Sequence, residues 1–220
     1  MSMIDNTGAK EQSATRAAYL TLRQMILVGT LPPGEKLKIE QLRALLNTGA
    51  SPVREALSLL TSDMLVERID QRGFRAAPAS LVNFEEILHL RETLEDMALR
   101  KSISNGGAEW EERLVLSHHR MKRVFGTDSF EDAHKSFHMA LLDNAESPML
   151  ERYCSQLYDL NIRYRYLAAG GANYQNRNIP AEHEEILEAA VNGDADAASK
   201  ALLQHYRLTG EYLKTQLGGL

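Results

Sequence analysis

The first third of the chain mixes helix-like and strand-like hydrophobic patterns, and the remainder is helix-like throughout. From Ser13 to Val28 the apolar positions Tyr19, Leu22 and Ile26 recur at helical spacing, and Gly29 supplies a stop. LPPGEKL over 31–37 is a Pro/Gly turn that ends this helix. Ile39 to Leu46 reads as a short second helix. In the following NTGASPVREALSLL, Ser51 is the expected N-cap, with Pro52 at the first helical position, where a missing N–H leaves nothing unpaired. Val53, Ala56, Leu57 and Leu60 then fall at i, i+3, i+4 and i+7, one buried stripe that leaves Arg54, Ser58 and Thr61 outside. Leu65–Ile69 and Phe74–Ala77 are strand candidates joined by DQRG, a hairpin turn with Gly73. Residues 1–12 read as a disordered N-terminus.

Beyond the linker-like APAS at 77–80, helical periodicity covers 81–105, 108–125, 128–145, 148–168, 180–192 and 195–217. The breaks SNGG, GTD, NAESP, AAGGAN and NGDAD are turn chemistry, and no internal repeat or low-complexity tract interrupts the pattern. These elements predict a mainly α protein of two domains. Residues 13–78 form three helices and a small basic hairpin, a winged helix-turn-helix, and 79–220 form an all-α antiparallel bundle.

Charge supports that division. The whole chain carries −5, which taken as an average argues against nucleic acid as a partner. Residues 1–78 hold ten Lys/Arg against eight Asp/Glu, whereas 79–220 hold fifteen against twenty-two. A net of +2 therefore sits on the winged helix and −7 on the bundle. In a winged helix the third helix enters the major groove by its N-terminal end while the wing lies on the backbone or minor groove. The expected DNA contacts are Ser51, Pro52 and Arg54 on that helix and Arg72, Gly73 and Arg75 on the wing, with Lys38 and Arg43 holding phosphates. The polar N-terminus has no apolar run of a secretory signal, no segment is apolar enough to span a membrane, and the single cysteine, Cys154, suits a reducing compartment. A cytoplasmic protein is expected.

The bundle carries the second chemistry. On 128–145 the stripe is Phe130, Ala133, His134, Phe137, His138 and Leu141, so two histidines face inward one turn apart. His183 shares a stripe with Ile186, Leu187 and Ala190, and His205 with Ala198, Ala201, Leu202 and Leu208. A lone inward histidine is usually a hydrogen-bonded core residue. Four of them, each costly to desolvate, are answered together by metal ligation. All-nitrogen ligands suit zinc, with nickel or copper as alternatives, better than magnesium or calcium. Arg91 lies on the Ile87, Leu90 and Leu94 stripe, either as an i,i+4 partner of Glu95 or as a bidentate clamp for a carboxylate ligand. Asn161, on the Leu150, Tyr153 and Leu157 stripe, is placed to reach the same cavity, while Arg163 falls outside it and Arg165 at its margin. His89, His118 and His119 lie off the stripes or at their edges.

With SPVREAL, the wing RGFRA, RETLE at 91–95 and an all-helical remainder, the chain resembles GntR-family transcription factors of the FadR-type subgroup over residues 12–217. The resemblance implies a ligand-binding helical domain with metal ligands spaced Asp-x3-His followed by two later histidines. Here HKSFH puts His134 where the pattern has aspartate, with His138, His183 and His205 on the three histidines. A second departure lies in the recognition motif, where Ser-Arg-Thr-Pro becomes Gly49, Ala50, Ser51 and Pro52, without the arginine. The resemblance implies a homodimeric, metal-containing regulator, most readily a repressor, that reads a pseudo-palindromic operator in double-stranded DNA and responds to a small organic acid. The rival reading is a metal-dependent hydrolase using the same histidines. HEEIL at His183 lacks the second histidine of HExxH, and no Gly-rich phosphate loop or Ser/His/Asp arrangement stands out.

Overall fold

The computed structural model describes residues 5–168 and 177–217. By packing, the chain divides into two units, Met1–Ser80 with Ile162–Leu167, and Leu81–Asn161 with Ala168–Leu220. The division at Ser80 lies two residues beyond the expected 78, and the last turns of one bundle helix belong with the N-terminal unit.

The N-terminal unit holds α1 (Asp5–Leu27), β1 (Lys36–Leu37), α2 (Ile39–Leu45), α3 (Ala50–Ser62), β2 (Val66–Ile69) and β3 (Gly73–Ala76). Leu22 and Ile26 of α1 pack on Val53, Ala56, Leu57 and Leu60 of α3, all fully buried. That stripe is the one the periodicity predicts. At the edges of this packing Thr15 donates to Glu55 and Tyr19 to Asp63, both at 2.8 Å. The sheet order is β1-β3-β2, antiparallel throughout, and forms the wing. Its first strand is only two residues long, too short for any alternation to reveal it. Gly73 opens β3 at φ 94, a conformation that strongly favours glycine, and so sits at the strand's start instead of in the turn proper.

Two local expectations are corrected. The N-terminus expected to be disordered is helical from Asp5, because Ala9, Lys10, Glu11 and Gln12 are good helix formers that carry the helix backwards from Ser13; residues 1–4 lie outside the described residues. The third helix is capped by Gly49, not Ser51. Pro52 consequently stands deeper in the first turn, still among the positions whose N–H has no intrahelical acceptor.

The bundle consists of α4 (Leu81–Asn105), α5 (Ala108–Arg123), α6 (Phe130–Ala140), α7 (Pro148–Leu167), α8 (Ile179–Val191) and α9 (Ala195–Leu217). Short turns reverse the chain between successive helices, as at Gly106–Gly107 and Asn192–Asp194. The expected break at AAGGAN lies largely outside the described residues. Helix α6 is shorter than the expected 128–145, because the chain leaves the helix after Ala140 while Leu141 and Leu142 remain buried in the following turn. The core joins Leu99, Leu114, Phe137, Leu141, Ile186 and Leu202 from five helices and the turn after α6. Gly210 lets α9 lie close to α4, since any side chain there would meet Leu88.

Two stripes are rotated from their expected positions. On α7 the buried face is Cys154, Leu157, Tyr158 and Asn161, and Tyr153 is about half exposed. On α4 it is Phe84, Ile87, Arg91, Glu95 and Ala98, so Leu90 turns outward. Arg163, expected off the stripe, is buried in the N-terminal unit, where it donates to the Ala77 carbonyl at 2.6 Å.

Candidate metal centre and nucleic-acid interface

Helices α6, α8 and α9 bring His134, His138, His183 and His205 to one point of the bundle, all four buried, with one ring nitrogen of each within 4.8 Å of the others. The Nε2 of His134 lies 3.1 Å from that of His138 and 3.1 Å from that of His183. Nitrogens bound to one ion at about 2.0–2.1 Å stand roughly 3.0–3.4 Å apart, which these two pairs match.

The outward sides of the imidazoles are anchored. The Tyr158 hydroxyl donates to Glu131 at 2.6 Å and lies 2.5 Å from Nδ1 of His134. The Tyr206 hydroxyl donates to Glu95 and lies 3.0 Å from Nδ1 of His138. Glu182, itself held by Arg177, lies 2.8 Å from Nδ1 of His205. With each tyrosine proton committed to a carboxylate, the hydroxyl oxygen accepts from Nδ1–H. On that arrangement Nε2 of His134 and of His138 present lone pairs to each other across 3.1 Å, with Nε2 of His183 3.1 Å from the first. This is a poor core arrangement and a good metal-ligand arrangement, so the residues fit a divalent transition metal.

Electrostatics agree with a neutral imidazole at His138. Burial, reinforced by the other three histidines and by Arg91, holds His138 well below the ordinary imidazole range. Burial and the Glu95 carboxylate push the Tyr206 hydroxyl well above its usual value, so it stays a donor.

Arg91 and Asn161 are both buried at the edge of this site. Arg91 pairs with Glu95 through Nε and Nη2, at 2.5 and 3.2 Å, and its Nη1 donates to Asn161 at 3.0 Å. Burial opposes this charge, but Glu95, with Tyr206 and Tyr158, raises the guanidinium above its ordinary value. Tyr206 and Tyr158 lie against its face, 4.3 and 5.0 Å from the carbon to the ring centres. Of the two readings of Arg91, the structure shows the i,i+4 pair with Glu95, and the charge of the guanidinium is felt at His138.

Cys154 is completely buried on the neighbouring face of α7, where burial, with Glu95, pushes its thiol up to about 12. It packs as a small hydrophobe. The thiolate fraction is then about a thousandfold below that of an ordinary cysteine, and iodoacetamide labelling is expected to follow unfolding. Rapid labelling of the native chain would contradict this environment.

In the N-terminal unit Ser51, Arg54 and Ser58 are exposed on one side of α3. Lys38, at the start of α2, is exposed, and Arg43 is exposed with only a surface pair to Glu40 at 3.2 Å. Arg72 and Gly73 are exposed at the wing tip. Arg75 is instead held by its cross-strand partner Glu67 at 2.6 Å. Pro52 departs from the expected contact set: it is buried in the first turn of α3, whereas Ser51 and Arg54 beside it are exposed.

Sequence reasoning missed Glu95 as a member of the centre, and with it Tyr158, Tyr206, Glu131 and Glu182. Some signal existed, because Glu131 precedes His134 by one helical turn and Glu182 and Tyr206 adjoin ligand positions. His118 was also missed as a buried residue, although it follows Trp110 and Leu114 at four-residue steps.

A winged helix joined to an all-helical domain points to a DNA-binding regulator. The sequence models of known families agree. Residues 14–75 match the bacterial regulatory proteins of the gntR family, and residues 86–208 match the FCD domain. The chain belongs to the GntR family of transcription regulators, and the FadR-type resemblance is consistent with its FCD domain. It is 36% identical to the HTH-type transcriptional regulator BphR of Paraburkholderia xenovorans, over 90% of this chain and 84% of that protein. It is 29% identical to the HTH-type transcriptional repressor GlaR of Escherichia coli, over 87% of this chain and 91% of that one. A probable D-xylose utilization operon repressor of Paenarthrobacter nicotinovorans is also 29% identical, over 82% and 80% of the two chains. The fold matches a GntR regulator from a Rhodococcus species, with a TM-score of 0.73 at 20% identity over 95% of this chain and 99% of that one. E. coli McbR/YncC matches with the same TM-score at 22% identity, over 92% and 98%. The chain is a transcription regulator and not an enzyme, so the hydrolase reading falls. Among the described residues no helix is long and apolar enough to cross a membrane.

Proposed function

We propose that this chain is a homodimeric, metal-containing repressor that acts in the cytoplasm and whose grip on a pseudo-palindromic operator is set by a small carboxylate effector. The observation that carries the metal is the convergence of four buried histidines, one ring nitrogen of each within 4.8 Å of the others, with Nε2 of His134 and of His138 only 3.1 Å apart. His134, His138, His183 and His205 would hold the ion, with zinc first and nickel second by donor type. The ion supplies positive charge in a dry interior, a Lewis-acid contact for an anionic ligand.

Arg91 would take the effector's carboxylate. Glu95 occupies its Nε–Nη2 edge, and one Nη1 hydrogen goes to Asn161, which holds the group in plane. Three of the five N–H groups are committed in this way, leaving one hydrogen on Nη1 and one on Nη2 that would serve a carboxylate. On the other unit Arg54 and Ser51 would meet base edges, while Lys38, Arg43, Arg72 and Gly73 would meet the backbone, and Arg75 would serve through the Glu67 pair to shape the wing. Repression is supported by the names of the GlaR and D-xylose relatives.

Operator binding by the zinc-loaded full chain, with and without a panel of small mono-, di- and tricarboxylates, tests this function. Arg54→Ala should weaken operator binding about 5- to 150-fold, a loss of about 1–3 kcal/mol. Arg91→Lys keeps the charge opposite Glu95 but removes the fork, and should raise the concentration of active acid needed about tenfold or more. An Arg91→Lys chain that responds like wild type removes Arg91 from the effector site. Unchanged affinity in Arg54→Ala removes that residue from the DNA interface.

A further inference from the structure

The proton order around His138 can be followed residue by residue. Nδ1 of His138 lies 3.0 Å from the Tyr206 hydroxyl, and that hydroxyl donates to Oε2 of Glu95. Glu95 is fully buried, and its two oxygens also receive Nε and Nη2 of Arg91. Its carboxylate therefore has only acceptor roles, the tyrosine proton must point toward it, and the oxygen of Tyr206 is left to accept from His138. A parallel chain runs from Glu131 through Tyr158 to Nδ1 of His134.

We infer that Tyr206, backed by Glu95, is a positioning residue that locks His138 in the Nδ1–H tautomer and so points a bare Nε2 lone pair into the centre. Tyr158 with Glu131 does the same for His134. This rests on the metal-binding reading of the four histidines. It adds that the two tyrosines set metal affinity without touching the ion, in the way that outer hydrogen-bond partners orient metal-bound imidazoles. The Arg91–Glu95 pair gains a second role as well, since the arginine holds the carboxylate that holds the tyrosine. The residues reach the site from different helices, Glu95 on α4, His138 on α6 and Tyr206 on α9, so the lock closes only when all three are packed.

Two measurements on the full chain test the inference. Histidine nitrogens are first observed by long-range 1H–15N NMR in metal-free protein, where His138 should show a protonated Nδ1 and a bare Nε2. Zinc affinity is then measured by competition with a chromophoric chelator. Tyr206→Phe, which keeps the ring and removes the hydroxyl, should bind zinc about 10- to 100-fold more weakly. Tyr153→Phe, at an exposed ring on α7, should bind like wild type. Protonated Nε2 on His138 in the wild type, or zinc affinity of Tyr206→Phe within twofold of wild type, overturns the inference. Should Tyr206→Phe fail to fold, the wild-type tautomer still decides. A wild-type chain with the Nδ1–H tautomer but no zinc binding would sink the metal reading and leave the lock standing.

Discussion

Arg91→Ala should destabilise the folded chain by about 3–5 kcal/mol, because it leaves the Glu95 carboxylate buried without its counter-charge. Glu95 is 0% exposed and Arg91 5%, so solvent cannot take over the missing interaction. The hydroxyl of Tyr206 would remain as a donor, but one neutral hydrogen bond does not replace a bidentate ion pair. Denaturant unfolding of wild type and variant at neutral pH reads the difference directly. The double variant Arg91→Met with Glu95→Leu should recover most of the loss, since buried pairs can be exchanged for packed hydrophobes at little cost. A loss below about 1 kcal/mol for Arg91→Ala would put the pair in the class of exposed salt bridges and contradict its burial. The size of this effect also explains why Arg91→Lys, and not truncation, is the informative probe of effector binding.

Metal loading should have the second large effect. An ion that binds only the folded chain, supplied at about a thousand times its dissociation constant, stabilises by about 4 kcal/mol. For a chain of this size that corresponds to a rise in Tm of roughly 8–16 °C. Zinc should produce the shift, a strong chelator should abolish it, and His138→Gln should remove most of it. A melting curve indifferent to zinc, nickel and chelator alike would mean that the four histidines form only a hydrogen-bonded core. Nε2 of His134 and of His138 stand 3.1 Å apart, a separation at which one ion would bind both.

How much of this is legible in the sequence depends on the range of the interaction concerned. The four inward histidines are readable because each lies on its own helix's apolar stripe, a property set within two turns. The helix boundaries of α4 and α9 are equally local, fixed by the SNGG and NGDAD turns. Glu95 can be read only as the neighbour of Arg91, because its link to His138 runs through Tyr206 on a helix more than a hundred residues along the chain. Tyr153 and Leu90 are expected inward and found outward, since an apolar residue near a stripe edge fits either side and packing against neighbours selects the rotation. The cap at Gly49 escapes the sequence for a related reason. Serine is a good cap in isolation, but the turn after α2 already sets the backbone for the helix at Gly49. The lesson of the charge is similar. An average over the chain suggests no nucleic-acid partner, and the family and fold show that the acidic bundle masks a small DNA-reading unit.

The ligand histidines are spread over α6, α8 and α9, and this has a consequence for how the protein is made. While the ribosome is still adding α9, the emerging chain holds His134, His138 and His183 but lacks His205 and Tyr206. The N-terminal unit is by then already synthesised, its core drawn from α1, α2, α3 and the wing together with the late turns of α7. A nascent chain would therefore complete its DNA-reading unit before its histidine cluster. Each new molecule would pass through a short interval in which one unit is whole and the other is not.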